Sequence, residues 1–454
     1  MDKQLFVRPD FTSMLVKLSL PIAITQFLTM GCGFLAMAMT AKLGQPMLAA
    51  GAIIYTVNMV VLIIPASLFF MLSISIGKYY SLGQHVCIGR LLRHAWILAI
   101  LMALPVMFIF WYILPVLAWF NQPLQVALIV QEFFHASIWR VPLFFMSVCN
   151  QQLCYGMRRQ KIDLYVNLIG AALFLVNAYS LIYGEFGFKA YGVAGLGFAY
   201  AIQTWFYFFF SVTIFYFNSK FHAIKLFSFK QRINMTLVLS LIKMGWPISL
   251  QIACELISLF LCAIFMGWIN IASLAAYQII LQYQFLVFVP IFAISQAAGI
   301  MTSQTLHGPQ PDGISTIGLA AVRQAGVISF AAGIMFVIFP IQLSRVFLNN
   351  ADLQNLEIMR FAALFFFLMS IYQLFDAVRT VLTGLLRGLR DVIYPMIISI
   401  SFCLIGISLG YFFTFCLKWN AAGLLLGWIC GVILGTVILY RRWSYASKKL
   451  SLSL

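Results

Sequence analysis

Charge is scarce in this sequence, and negative charge scarcest. Its 454 residues include only 11 Asp and Glu against 28 Lys and Arg; 9% are charged and 63% hydrophobic. Water-soluble domains carry about a quarter charged residues, so a soluble enzyme is excluded and a polytopic membrane protein is implied. The nine cysteines, an odd number, lie within or beside apolar runs without metal-ligand spacing, which argues against a disulfide framework or a zinc site. There is no HExxH, no paired-Asp diphosphate motif and no P-loop. The net charge of +17 raises the question of nucleic acid, but the basic residues are not gathered into a binding face. No nucleic-acid partner, resident metal or cofactor is expected. The opening "MDKQLFVRPDFTSMLVK" is polar, runs into a segment too long for a signal-peptide core, and reads as a retained cytoplasmic tail.

What is there is apolar length. A membrane-crossing helix needs about 20 apolar residues. Twelve segments qualify: 14–41, 47–76, 92–114, 130–156, 163–184, 191–218, 238–263, 272–302, 317–345, 356–386, 392–417 and 420–440. Most Lys and Arg fall in the tails, in the even-numbered loops or at the span ends leading to them. The odd loops hold only Lys42, Lys189, Arg345, Arg360 and Lys418, with Arg140 near a span's start. The positive-inside rule then places both termini in the cytoplasm.

The chain also repeats itself. "LVKLSLPI" from Leu15 resembles "LIKMGWPI" from Leu241, pairing Lys17 with Lys243 and Pro21 with Pro247. "LAAGAI" at 48–53 falls on "LAAYQI" at 274–279, and Gly156, Arg159 and Asp163 fall on Gly384, Arg387 and Asp391. Ordered anchors at nearly one offset divide the chain into two homologous six-helix lobes, 1–217 and 238–454, joined by a basic linker at 218–237. An even number of spans separates them, so the repeat is parallel, about an axis along the membrane normal. A central cavity between lobes is then the expected substrate path. Single-chain transporters are built this way, and a monomer is expected.

Nine of the acidic residues fall in tails, loops or span ends; Glu255 and Asp376 are deep. Glu255 follows Lys243 by 12 residues and Asp376 precedes Arg387 by 11, so each lies about 17 Å from the cytoplasmic edge at 1.5 Å per residue. A carboxylate there costs about 2.5–3.5 kcal/mol on insertion scales and is functional by default. Arg379 is one turn from Asp376 and favours its charged form. Glu255 has no basic neighbour in sequence, which makes it the better candidate to gain and lose a proton. Asp376 is then a partner, a second ligand, or half of an ion pair.

Tyr277, Gln278, Gln282 and Gln284 give the eighth span a polar strip, with Gln278 and Gln282 one turn apart. Asn150, Gln151 and Gln152 make a smaller polar spot in the fourth. Both groups suit either a cavity lining or interhelical hydrogen bonds. Pro21 and Pro247 remove a helix hydrogen bond and are hinge candidates. Gly423, Gly427, Gly431 and Gly435 form a small-residue stripe for close packing within the second lobe. His135, near Glu132 and Arg140, reads as a solvated span end or an outer gate cluster.

Several of these stretches carry a family resemblance: "LSLPIAITQF" with "LAAGAI", "IYGEFGFKAYGVAGLGFAYAI" at 182–202, "LAAYQI", and "LTGLLRGLRD" at 382–391. Over nearly its whole length the chain resembles multidrug and toxic compound extrusion (MATE) transporters of the NorM type. The resemblance implies an all-α integral membrane protein of twelve helices in two lobes around a V-shaped cavity. It further implies a bacterial inner-membrane antiporter exporting amphipathic, cationic compounds against H⁺ or Na⁺ entry. Glu255 and Asp376 match acidic positions of such members, with Na⁺ at that pair as one option. Two departures stand out. Ala36 occupies a position where many members carry Asp, with Phe174 and Ala178 at the partner Asn positions, so coupling is expected in the second lobe alone. Arg379 stands where an uncharged residue is usual. The alternative reading is a lipid-linked saccharide flippase of the same superfamily, which would need a strongly basic cavity, with Arg379 and Arg140 as its only candidate cations.

Overall fold

The computed structural model describes residues 10–226, 234–308, 313–348 and 353–452. Among them helix is the only regular structure. That is what a bilayer demands of apolar segments, since each backbone N–H and C=O must be satisfied within its own helix. The chain is an all-α integral membrane protein. Its crossing elements are α1 Phe11–Ala41, α2 Gln45–Ser81, α3 His85–Trp111, α4 124–156, α5 Gln160–Tyr183 and α6 Gly192–Phe217. They continue as α7 Met235–Ile269, α8 Ile271–Leu306, α9 Ile314–Ile338, α10 Leu353–Gly388, α11 Ile393–Cys416 and α12 Asn420–Leu452. Residues 227–233 of the expected linker, and Asp2, Asp312 and Asp352, lie outside the described residues.

Eleven of the described helices are long and apolar enough to cross a membrane. The exception is α4. The span expected at 130–156 is two helices, Leu124–Ser137 and Val141–Gly156, joined by a 3₁₀ turn at Ile138–Arg140. Pro142 sits just past the turn and cannot donate to a carbonyl in the turn before it, which favours a break there. In α2 a π-helical segment, Met59–Ile63, likewise precedes Pro65.

Packing divides the chain into two compact units, one of Met1–Ala23 with Cys254–Leu454 and one of Ile24–Ala253. These bounds differ from the lobes 1–217 and 238–454: the start of α1 goes with the second half, and the start of α7 with the first. Side chains explain both. Leu15 and Leu18 are buried in the second-half core, and Gln324 donates to the Thr12 carbonyl at 2.9 Å. On α7, Ser249 meets the Ser67 hydroxyl at 3.2 Å, and Gly245 lies so close to the Leu68 backbone that no side chain fits between. Pro21 and Pro247 therefore sit on the two helices that change unit, each just before the change.

The sequence repeat is also a packing repeat. A Cβ on Gly156 of α4 would lie 2.6 Å from the Ser73 carbonyl of α2, and one on Gly384 of α10 would collide with Ser295 of α8. Along α12, Gly423, Gly427, Gly431 and Gly435 face Phe413, Gly410, Gly406 and Phe402 of α11. The stripe thus serves helix packing within one unit.

Candidate coupling site

In the unit containing Cys254–Leu454, one guanidinium holds two carboxylates. Arg379 Nη1 donates to Glu255 Oε1 at 2.9 Å, while Nη2 lies 2.7 Å and Nε 2.9 Å from Asp376 Oδ1. The pair on α10 is i, i+3, so the helix presents both side chains together; α7 brings Glu255 to them. Ser399 of α11 accepts a longer bond from Nη1 at 3.4 Å, and the guanidinium stacks 4.5 Å from the Phe402 ring centroid. Asp376 and Arg379 are buried, with 4% of each side chain exposed, whereas Glu255 keeps 25%. Two carboxylates thus share one guanidinium. Arg387, two turns along α10, is within electrostatic range of Glu255.

This corrects one expectation. Glu255 is not a carboxylate without a partner, because its partner is 124 residues away in sequence and invisible to local reading. Asp376 and Arg379 do form the ion pair their spacing suggested. A Na⁺ shared by both carboxylates would need the place that the guanidinium occupies, and among the described residues no cluster of His, Cys, Asp or Glu suits a metal ion.

The polar strip of α8 splits. Tyr277 and Gln284 line a small cleft with Leu259, Met369, Tyr372, Leu425 and Trp428, with about 10 Å³ of space, room for roughly one water molecule. Gln278 and Gln282 lie exposed on another face. The cleft touches the charge cluster through Tyr372, one turn before Asp376 and in hydrogen-bonding reach of it.

In the Ile24–Ala253 unit, Asn150 is buried and fully employed. It accepts from Trp96 Nε1 and donates to Ser211 Oγ, each at 2.9 Å, so it is an interhelical bond rather than a cavity donor. Gln151 donates to Asp163 at 3.5 Å. Asp163, expected to be a plain span end, is buried with 1% of its surface exposed and bound by Tyr207 and Asn167. That half therefore does hold a buried carboxylate. The signal available was the repeat, which pairs Asp163 with Asp391; Asp391 in turn holds Arg442 at 2.9 Å. Ser399, Phe402 and Tyr372 carried no comparable signal. His135 stacks on Trp111 and meets its carbonyl at 3.1 Å, and does not join Glu132 and Arg140 in a cluster. Arg140 is itself buried.

Comparison with known proteins agrees with this architecture. The MatE family model matches residues 21–180 and 247–412, most of the chain and once in each half of the repeat. The chain belongs to the MatE family. Among MatE-like relatives, it is 25% identical over 429 residues to a probable multidrug resistance protein NorM of Synechocystis, covering 93% of this chain and 92% of that one. It is 26% identical to a probable multidrug resistance protein NorM of Agrobacterium fabrum, covering 95% and 93%. A solved MATE in its bent conformation superposes with a TM-score of 0.89 at 15% identity, covering 98% and 97%, and shares the fold.

Proposed function

We propose that this MatE-family chain is a cation-coupled multidrug exporter of the bacterial inner membrane, with both termini cytoplasmic. It exchanges amphipathic, cationic compounds for an inward-moving ion through the Glu255–Arg379–Asp376 cluster. The supporting observation is the shared guanidinium: two carboxylates on α7 and α10, Asp376 buried and Glu255 partly exposed, bind the same arginine. Glu255 is the exposed member. Neutralising it removes the charge assistance of its bond to Arg379, leaves the guanidinium to Asp376, and loosens α7 from α10. Ion binding is thereby turned into helix release on the element that carries Pro247. Pro21 on α1 is the matching hinge. A proton suits this step better than Na⁺, since a proton needs one oxygen and Na⁺ needs several. The relatives' name, probable multidrug resistance protein, supports multidrug export, and the exposed Gln278 and Gln282 are the polar groups proposed to meet substrate.

The test is ethidium efflux from proteoliposomes under a pH gradient and, separately, a Na⁺ gradient. One pH unit is worth about 1.4 kcal/mol per proton, enough for about a tenfold substrate gradient in one-for-one exchange. Wild type should approach that ratio under the pH gradient, and Glu255→Gln should fall to a ratio near one. A Glu255→Gln protein that concentrates ethidium as wild type does would remove Glu255 from the mechanism.

A further inference from the structure

Among the described residues of the Ile24–Ala253 unit, one buried positive charge has no carboxylate partner. Arg140 is 5% exposed. Its Nη2 donates to Asn58 Oδ1 at 2.7 Å, its guanidinium carbon lies 4.7 Å from the Tyr200 ring centroid, and its Nε–H has no hydrogen-bond partner. The three acids of this unit are placed elsewhere in it. Glu132 is exposed, Glu185 lies in the loop after α5, and Asp163 is bound by Tyr207, Asn167 and Gln151. Among the described residues, no carboxylate pairs with Arg140.

We propose that Arg140, held by Asn58 and Tyr200, is an anion site that takes the carboxylate of an amphipathic substrate. Three observations converge on it. An unneutralised charge at membrane depth is costly and is kept where it works, and Arg140 stands midway along the 124–156 run. The backbone is irregular on two of the elements that build the site: the 3₁₀ turn ends at Arg140, and the π segment begins just after Asn58. Within a membrane, broken helices are tolerated inside protein or beside a cavity, and in transporters they line binding sites. Finally, the guanidinium uses its face for Tyr200 and leaves its Nε edge unpartnered. That Nε is enclosed in this structure, so a carboxylate meets the edge once the irregular turns of α4 and α2 admit it, in the plane at which arginine binds carboxylates and without disturbing the stacking. The inference rests on the exporter reading for its substrate class. It adds that zwitterionic compounds, with a carboxylate beside their cationic ring system, are preferred over their esters.

The experiment uses a matched pair of dyes, rhodamine 110, which has a free carboxylate, and its methyl ester rhodamine 123. Binding to the purified full chain in detergent is read by fluorescence anisotropy at low salt. No gradient is present, so the result is independent of coupling through Glu255. A charge-assisted bond of the usual strength predicts about tenfold tighter binding of the carboxylate dye. Arg140→Met should bring the ratio near one while leaving rhodamine 123 within about twofold of its wild-type affinity. If Arg140→Met is not recovered as monodisperse protein, Arg140→Lys carries the test: it keeps the charge, lacks the planar fork, and must lower the ratio. Equal affinity of wild type for the two dyes, or a preference that survives these substitutions, overturns the proposal. A preference abolished by 150 mM chloride alone would assign the site to small inorganic anions and overturn the substrate assignment.

Discussion

Removing the guanidinium should damage the protein more than removing either acid it holds, and removing one acid as well should repair part of the damage. Arg379→Met leaves Asp376 buried with its two closest contacts gone, and Glu255 without its 2.9 Å bond. Breaking a buried ion pair from one side costs about 3–5 kcal/mol, because an uncompensated charge stays behind. Asp376, with 4% of its side chain exposed, bears that cost nearly in full. Glu255, at 25%, bears less, since water reaches it. Asp376→Asn instead leaves Arg379 paired with Glu255, and its cost should be that of a weakened hydrogen bond, about 1–2 kcal/mol. The double variant Arg379→Met, Asp376→Asn removes the orphaned charge and should recover about 2 kcal/mol relative to Arg379→Met alone. Equilibrium unfolding in mixed detergent micelles, followed by tryptophan fluorescence, gives the four corners of the cycle. If Arg379→Met is as stable as wild type, or the double variant is no better than Arg379→Met, the two acids do not depend on the guanidinium and the account of the cluster fails.

Two further substitutions probe the scaffold. Gly427→Val places a branched side chain where even a Cβ collides with the Gly410 backbone. It should prevent recovery of monodisperse protein in size-exclusion chromatography, whereas Gly326→Ala, with nothing within 4 Å of its Cβ position, should behave as wild type. Asp163→Asn keeps the shape of a buried acceptor but weakens its bonds from Tyr207, Asn167 and Gln151. A loss of about 1–3 kcal/mol in micellar unfolding is expected, and no loss would show that the carboxylate's charge contributes nothing to that network.

Much of the fold was legible because the bilayer simplifies the code. Apolar length alone marks a span, and the Lys17–Pro21 and Lys243–Pro247 anchors expose the repeat without any knowledge of packing. What could not be read was whatever depends on one helix meeting another. Asp376 and Arg379 are one turn apart, and their pairing follows from helix geometry; Glu255 reaches the same guanidinium only because α7 packs beside α10. Asn150 looked equally fit to line a cavity or to bridge helices, and only Trp96 on α3 and Ser211 on α6 decide it. The break in α4 had a visible cause in Pro142, yet proline inside a span is common, and its presence did not say whether the helix would bend or stop. Asp163 departs from expectation for a related reason. Position near a helix start suggests water, but burial is set by Tyr207 and Asn167, which fold over it.

The two halves that the repeat makes alike in packing are unlike in charge. Gly156 and Gly384 perform the same close approach in each, while the buried charges are paired differently: in one unit Glu255 and Asp376 share Arg379, and in the other Asp163 is held by neutral donors while Arg140 has no carboxylate partner among the described residues. Helix contacts are fixed by small residues and shape, so duplication preserves them as long as the fold survives. A buried charge has no such protection, because it costs several kcal/mol wherever it goes unpaired and is retained only under use. The asymmetry therefore separates the roles by physical argument. The unit in which two carboxylates share Arg379 is suited to take up a small cation, and the unit in which Arg140 stands without a carboxylate is suited to meet an anionic group on the compound being moved.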